Sequence, residues 1–246
     1  MRIIARIDVK NEFVIKGINF EGLRKVGNPL ILAEKYYNEG IDEIIFIDAV
    51  ASLYGRNNLF NIVEQATKNI FCPITLGGGI RKLKDIEKAL DSGADKIAIN
   101  SYATENPKFI KQAVDNFGSS TIAVNIEAKK IDNGGWEIYK NYGREKTGIE
   151  IINWIKKIQD FDCGEIFLTS IDHEGLSKGF DTQLLDYVHK YIRKPLILSG
   201  GFGSLKDIEY LKKYPNVSFS SSSMLHYNKI SIKEINENKQ VLLKKY

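Results

Sequence analysis

A chain of 246 residues, 43% hydrophobic and 27% charged, has the composition of an ordinary soluble globule and room for one large or two small domains. A net charge of +4 with no arginine-rich arm or basic block argues against nucleic acid, and no apolar run approaches the ~18 residues of a membrane span. The N-terminal stretch, with Arg2, Arg6 and Asp8, is too charged for a signal peptide, and Cys72 and Cys163 form no CxxC pair, so a reducing cytoplasm without disulfide or zinc is expected.

In chain order the sequence predicts strands over Arg2–Asp8, Glu43–Asp48, Pro73–Leu76, Lys96–Asn100, Thr121–Glu127, Glu165–Ser170, Pro195–Ser199 and Val217–Ser221. Helical patterns follow them, among them Pro29–Asn38, Leu83–Asp91, Pro107–Phe117, Gly148–Gln159 and Leu205–Lys213. Regular strand–helix alternation predicts a parallel sheet with its helices outside. Eight units predict closure into a (β/α)₈ (TIM) barrel of the α/β class, one domain over 1–246. A doubly wound open sheet is the alternative, but no GxGxxG follows the first strand.

An internal repeat supports closure. Leu76–Glu87 resembles Leu198–Glu209, half a chain later, and Asp42–Phe46 pairs with Gly164–Leu168 at the same offset. Gly22–Gly27 pairs with Gly143–Gly148 at nearly that offset, and the strand ending in Asp8 then matches the one ending in Glu127. The expectation is two half-barrels, about 1–120 and 121–246, related by a pseudo-twofold axis.

Both halves set glycines directly after a strand: Gly77–Gly79 after the third, and Gly200 and Gly201 after the seventh. Glycine lets backbone N–H groups approach an anion without a Cβ in the way. Asn100 and Ser101 close the fourth strand, and Ser220–Ser223 the eighth, where small hydroxyl residues can donate to phosphate oxygens. One glycine pair reads equally as turn punctuation. Two pairs related by a repeat point to two phosphate cradles and a bisphosphorylated ligand; the serine run also reads as a loop.

Asp8 and Glu127 end strands one and five, opposite each other at the catalytic rim of such a barrel. Two carboxylates in different environments can serve as general acid and general base. Taken alone, each reads as half of a rim salt bridge, with Lys16 and Lys129 as candidate partners. Their symmetric placement favours catalysis. Alternation sets Arg6 inside the barrel one layer below Asp8, within reach of Asn125 or Glu127, unless it belongs to a structural polar core. His173, His189 and His226 lack ligand spacing and read as surface or loop residues; no metal or cofactor is expected.

Arg2–Lys10, Val14–Glu21, Gly40–Asp48, Gly77–Ile80, Gly93–Lys96, Asn100–Pro107, Gly164–Asp172 and Ser199–Gly201 together resemble the cyclase-subunit family of imidazole glycerol phosphate synthase. A sister isomerase shares the half-barrel repeat, but the Lys16–Phe20 and Leu168–Asp172 segments favour the cyclase. The resemblance implies a lyase of histidine biosynthesis paired with a glutaminase subunit as a heterodimer. Ammonia from the glutaminase would travel through the barrel, attack a bisphosphorylated ribulosyl aminoimidazole carboxamide nucleotide, and yield imidazole glycerol phosphate and a carboxamide ribonucleotide. It implies catalytic roles for Asp8 and Glu127, and substrate and phosphate binding by Lys16, Gly79, Asn100, Ser101, Gly175, Gly201, Ser222 and Ser223. It further implies an ammonia gate of Arg2, Glu43, Lys96 and Glu165, and a glutaminase contact at Asp95. Four charges near strand starts also read as a mutually paired ring that serves stability alone.

Several positions depart from the family pattern. Glu127 stands for an aspartate, Arg6 for a small residue, Tyr142 for a serine, and the serine run for a more apolar segment. These leave two alternatives open: a paralogue serving ammonia-dependent amidination of surface-polysaccharide sugars, and a non-catalytic subunit that docks a glutaminase.

Overall fold

A computed structural model describes residues 1–51, 59–132 and 134–243. Eight strands close a parallel ring. In ring order they are β1 (Ile3–Lys10), β4 (Glu43–Asp48), β5 (Ile74–Gly77), β6 (Lys96–Ile99), β7 (Ile122–Lys130), β10 (Glu165–Ser170), β11 (Leu196–Ser199) and β12 (Val217–Ser221). β12 pairs back onto β1 through Ile3 with Phe219 and Ile4 with Ser220, which closes the barrel. The outer layer holds α1 (Pro29–Asn38), α2 (Phe60–Ala66), α3 (Leu83–Asp91), α4 (Ser101–Glu105), α5 (Lys108–Phe117), α6 (Ile151–Asp160), α7 (Thr182–His189), α8 (Leu205–Leu211), α9 (Ser223–His226) and α10 (Ile232–Leu243).

Side-chain alternation sorts the core into two parts. On β1, Ile3, Ala5, Ile7 and Val9 join the large apolar layer between strands and helices. Ile4 faces the lumen with Ile45, Ile47, Ala98, Phe167 and Ile197. Burying each such aliphatic or aromatic side chain contributes ~1.5–3 kcal/mol.

The repeat has a physical reason. Asp85 Oδ2 accepts the backbone N–H groups of Arg81 and Lys82 at 2.9 and 2.8 Å, capping α3. Asp207 Oδ2 accepts those of Gly203 and Ser204 at 2.8 and 2.9 Å, capping α8. The shared Leu-Lys-Asp-Ile-Glu segment is one helix start used twice.

Sequence patterning did not reveal two antiparallel hairpins, β2 (Phe13–Ile18) with β3 (Glu21–Gly27) after β1, and β8 (Trp136–Lys140) with β9 (Glu145–Glu150) after β7. They occupy equivalent places in the two halves, and β1 and β7 are extended to feed them. The helix expected over Gly148–Gln159 begins only at Ile151. Gly148 has a φ of +73°, outside helical space, and the Glu150 side chain caps the helix by accepting the Asn153 N–H at 3.0 Å. The helix expected to reach Lys213 ends at Leu211.

Candidate active site

The C-terminal ends of the strands carry two recesses on opposite sides of the rim. The first is lined by Gly79, Asn100, Ser101, Asn125, Glu127 and Tyr142 among others. Gly78 closes β5 with a φ of +97°, and a Cβ there would run into the backbone of Asp48. Ser101 Oγ accepts the Asn141 N–H at 2.9 Å, which fastens the β8–β9 turn to the recess.

The second recess is lined by Lys16, Glu174, Gly175, Gly201, Ser222 and Ser223 among others. Gly201 has a φ of +100°, and a Cβ would meet the Gly179 carbonyl. Lys16 reaches the recess from the β2–β3 hairpin. Its ammonium bonds Glu174 and donates to Ser222 Oγ at 3.1 Å. Burial lowers its pKa to about 8, with Asp8 pulling upward and Arg6 downward. The serine run is no loop: Ser220 and Ser221 belong to β12, and Ser223 opens α9. The Ser220 and Ser221 hydroxyls are buried without a hydrogen-bond partner among the described residues.

Glu127 and Asp8 differ in their surroundings. Glu127 is 2% exposed, opens on the first recess and accepts the Gly143 N–H at 2.8 Å. Burial pushes its carboxyl up to about 7, against the lowering effect of Arg6 and the Gly143 bond. Asp8 is fully buried and lines neither recess. Its Oδ1 accepts Arg6 Nε at 2.8 Å, and its Oδ2 lies 4.0 Å from Lys16 Nζ. Tyr142 feels both carboxylates; burial, with Asp8 beside it, keeps its phenol protonated. Its ring packs against Phe20 at 4.3 Å between centroids. With Ile15, Ala49, Tyr139 and Ile171, these rings form a small apolar cluster fed by both hairpins and by the segments after β4 and β10.

Arg6 is 1% exposed and bonds Asp8, Thr169 and Ser199, not the Asn125 or Glu127 expected from its layer. Its side chain crosses the lumen towards β10 and β11, while Glu127 is engaged by the Gly143 N–H. Burial disfavours its charge, but Asp8, Tyr142 and Glu127 outweigh this and raise its pKa. Lys129 points outward and is exposed, so it is no partner for either carboxylate. His226 is a second correction: it is buried, not a loop residue, with Nδ1 2.6 Å from the Tyr36 hydroxyl. Burial lowers its pKa to about 3, so it is neutral. Among the described residues no group of three His, Cys, Asp or Glu could hold a metal.

At the other end of the barrel the four charges form one ring. Arg2 bridges Glu43 and Glu165, and Lys96 Nζ bridges the same two at 3.0 and 3.1 Å. Thr75 Oγ1 donates to Glu43 at 2.8 Å. Asp95 lies on this face, exposed, and accepts the Ile74 N–H at 2.8 Å.

A parallel eight-stranded barrel with two facing rim recesses and a closed ring of charge below defines a class of small-molecule enzymes with the active centre at the strand ends. The model of the family described as histidine biosynthesis protein matches residues 2–231, and the chain belongs to that family. It is 50% identical over 207 residues to the imidazole glycerol phosphate synthase subunit HisF of Legionella pneumophila, covering 84% of this chain and 98% of that one. It is 40% identical over 235 residues to the subunit of that name from Natranaerobius thermophilus, and 42% identical over 236 residues to that of Clostridium botulinum. Each of these covers 95% of this chain and 93% of the relative.

Proposed function

We propose that the chain is the cyclase subunit of an imidazole glycerol phosphate synthase, a lyase in histidine biosynthesis that uses ammonia from a glutaminase partner. The observation that carries this reading is the pair of recesses, the first of which opens on a buried carboxyl whose pKa is pushed up to about 7. The two phosphates of an aminoimidazole carboxamide nucleotide would sit one in each recess. Gly79, Asn100 and Ser101 would hold one, and Lys16, Gly175, Gly201, Ser222 and Ser223 the other. The reacting carbons then lie between them, beside Glu127.

Addition of ammonia to a carbonyl needs a proton for the oxygen and a base for the surplus N–H proton. A carboxyl with a pKa near 7 is populated in both forms at neutral pH and serves either step. Asp8, held by Arg6 and 4.0 Å from Lys16 Nζ, would complement the cationic nitrogen that develops during addition. The glutaminase would dock on the face that carries Asp95, over the ring of Arg2, Glu43, Lys96 and Glu165, and deliver ammonia into the lumen. Ammonium-dependent turnover of the bisphosphorylated nucleotide tests the reading, with and without a glutaminase. Turnover with ammonium alone, and with glutamine only when the glutaminase is present, is expected. Saturable binding without turnover under both conditions rejects it.

The Arg6–Asp8 ion pair favours one second reading, ammonia-dependent amidination of a surface-polysaccharide sugar, because it ties up a carboxylate the nucleotide reaction would use. Failure to rescue a cyclase-deficient, histidine-requiring strain, together with activity on a sugar nucleotide, would decide for it.

A further inference from the structure

We infer that Arg6 is a bar across the barrel lumen, so that a small neutral molecule released at the charged ring reaches the rim only when this guanidinium lets go of its partners. The inference rests on the proposed use of the lumen for ammonia. Alternation puts Ile4, Arg6 and Asp8 on the inner face of β1. Above the charged ring comes the apolar layer of Ile4, Ile45, Ile47, Ala98, Phe167 and Ile197. Arg6 lies two residues above Ile4 on β1, paired with Ile45 of β4, while Ile47 pairs with Asp8 on the rim side of it. Nη1 donates to Thr169 Oγ1 at 2.9 Å and approaches Ser199 Oγ at 3.5 Å. Thr169 is on β10, three places round the ring from β1, so the side chain spans the lumen rather than following its wall.

The guanidinium lies over two aromatic rings. Its carbon is 5.4 Å from the Phe167 ring centroid and 5.2 Å from that of Phe20. Phe167 belongs to the lumen layer, and Phe20 to the cluster roofing the rim. Two aromatic faces and a buried carboxylate make this a favoured seat for the cation. The seat is still only partly bonded: Nη2 has no hydrogen-bond partner among the described residues. Asp8 is the shared element. Its Oδ1 holds Arg6, and Lys16 Nζ stands 4.0 Å from its other oxygen.

Two measurements test this, one independent of turnover. In the full chain with nitrogen-labelled arginine, the Arg6 Nε–H is expected to exchange with solvent far more slowly than the exposed arginines, and to lose that protection in Asp8→Asn. In the complex with a glutaminase, Arg6→Ala is expected to raise the ratio of glutamine-driven to ammonium-driven turnover severalfold, because ammonium from solution enters at the rim and does not pass the bar. Rapid exchange of the Arg6 Nε–H in the unaltered chain overturns the inference, as does an unchanged ratio in a folded Arg6→Ala variant. Absence of ammonium-driven turnover in the unaltered chain speaks against the proposed function instead, and the exchange measurement still decides the bar.

Discussion

Lys16 and Ser222 come from opposite ends of the chain and meet at 3.1 Å, Nζ to Oγ, in the second recess. The lysine enters from the hairpin after β1 and the serine directly follows β12, so closing the barrel builds the contact. Only the protonated ammonium attracts a phosphate there. With its pKa lowered to about 8, Lys16 is charged below that pH and neutral above it. Phosphate affinity at this recess is therefore expected to fall as pH rises through about 8, well before an exposed lysine would titrate. Lys16→Met is expected to weaken binding of the bisphosphorylated nucleotide by roughly ten- to a hundredfold, as loss of one charge-assisted contact implies. Calorimetric titration across this pH range checks both. Affinity that is flat in pH for the unaltered chain would reject the assignment of Lys16 to phosphate.

Glu127 makes a prediction about stability as well as rate. Its folded pKa, about 7, is raised above the ordinary 4.5. The folded state thus holds a proton that the unfolded state releases between these values. The stabilising effect is fully present below about pH 4.5 and is lost as pH rises through about 7, a change on the order of 3 kcal/mol. Glu127→Gln is expected to remove this slope from the pH dependence of Tm, and to lower kcat by roughly 10²–10⁴ while leaving nucleotide binding largely intact. If Glu127→Gln keeps the parental kcat, Glu127 does not transfer protons in the reaction.

Gly201 is expected to tolerate no side chain. Its φ of +100° is strained for any other residue, and an added Cβ would strike the Gly179 carbonyl. Gly201→Ala should destabilise the protein by ~1–3 kcal/mol and close the second recess. Gly118, also at positive φ but with open space around it, provides the control. Gly118→Ala should carry the conformational cost without the loss of phosphate binding. Equal binding losses in both variants would mean that Gly201 does not shape the recess.

The barrel and its two recesses were legible in the sequence because closure leaves strong marks. Each ring strand is an apolar run ended by punctuation, and the helix-capping segment around Asp85 returns around Asp207. The hairpins left no such mark. β3 and β9 are largely exposed on both faces and show no two-residue alternation, since pairing rather than burial holds them. Glu174, which holds Lys16, lies in a turn after β10; its only signal was an acid placed just before Gly175 at a strand end. The layer of Arg6 followed from alternation, but not its partners, because period two fixes height in the lumen and not direction across it. His226 read as a surface or loop residue because its spacing carries no signal, and the packing of α9 against Tyr36 explains its burial.

The charged ring is expected to respond unequally to removal of its members. Glu43 is 1% exposed and Glu165 is 7% exposed, whereas Lys96 and Arg2 reach water with part of their length. Without Lys96, two buried carboxylates remain with only Arg2 to serve both. Without Glu43, two cations remain that can turn their heads to solvent and still share Glu165. Breaking a buried pair so that a charge is stranded costs about 3–5 kcal/mol, while releasing a partly exposed cation costs far less. Lys96→Met should therefore destabilise the chain more than Glu43→Gln, by about 2 kcal/mol, in urea unfolding at neutral pH. A larger loss for Glu43→Gln would show that the lysine, not the acids, is the buried charge whose pairing the ring secures.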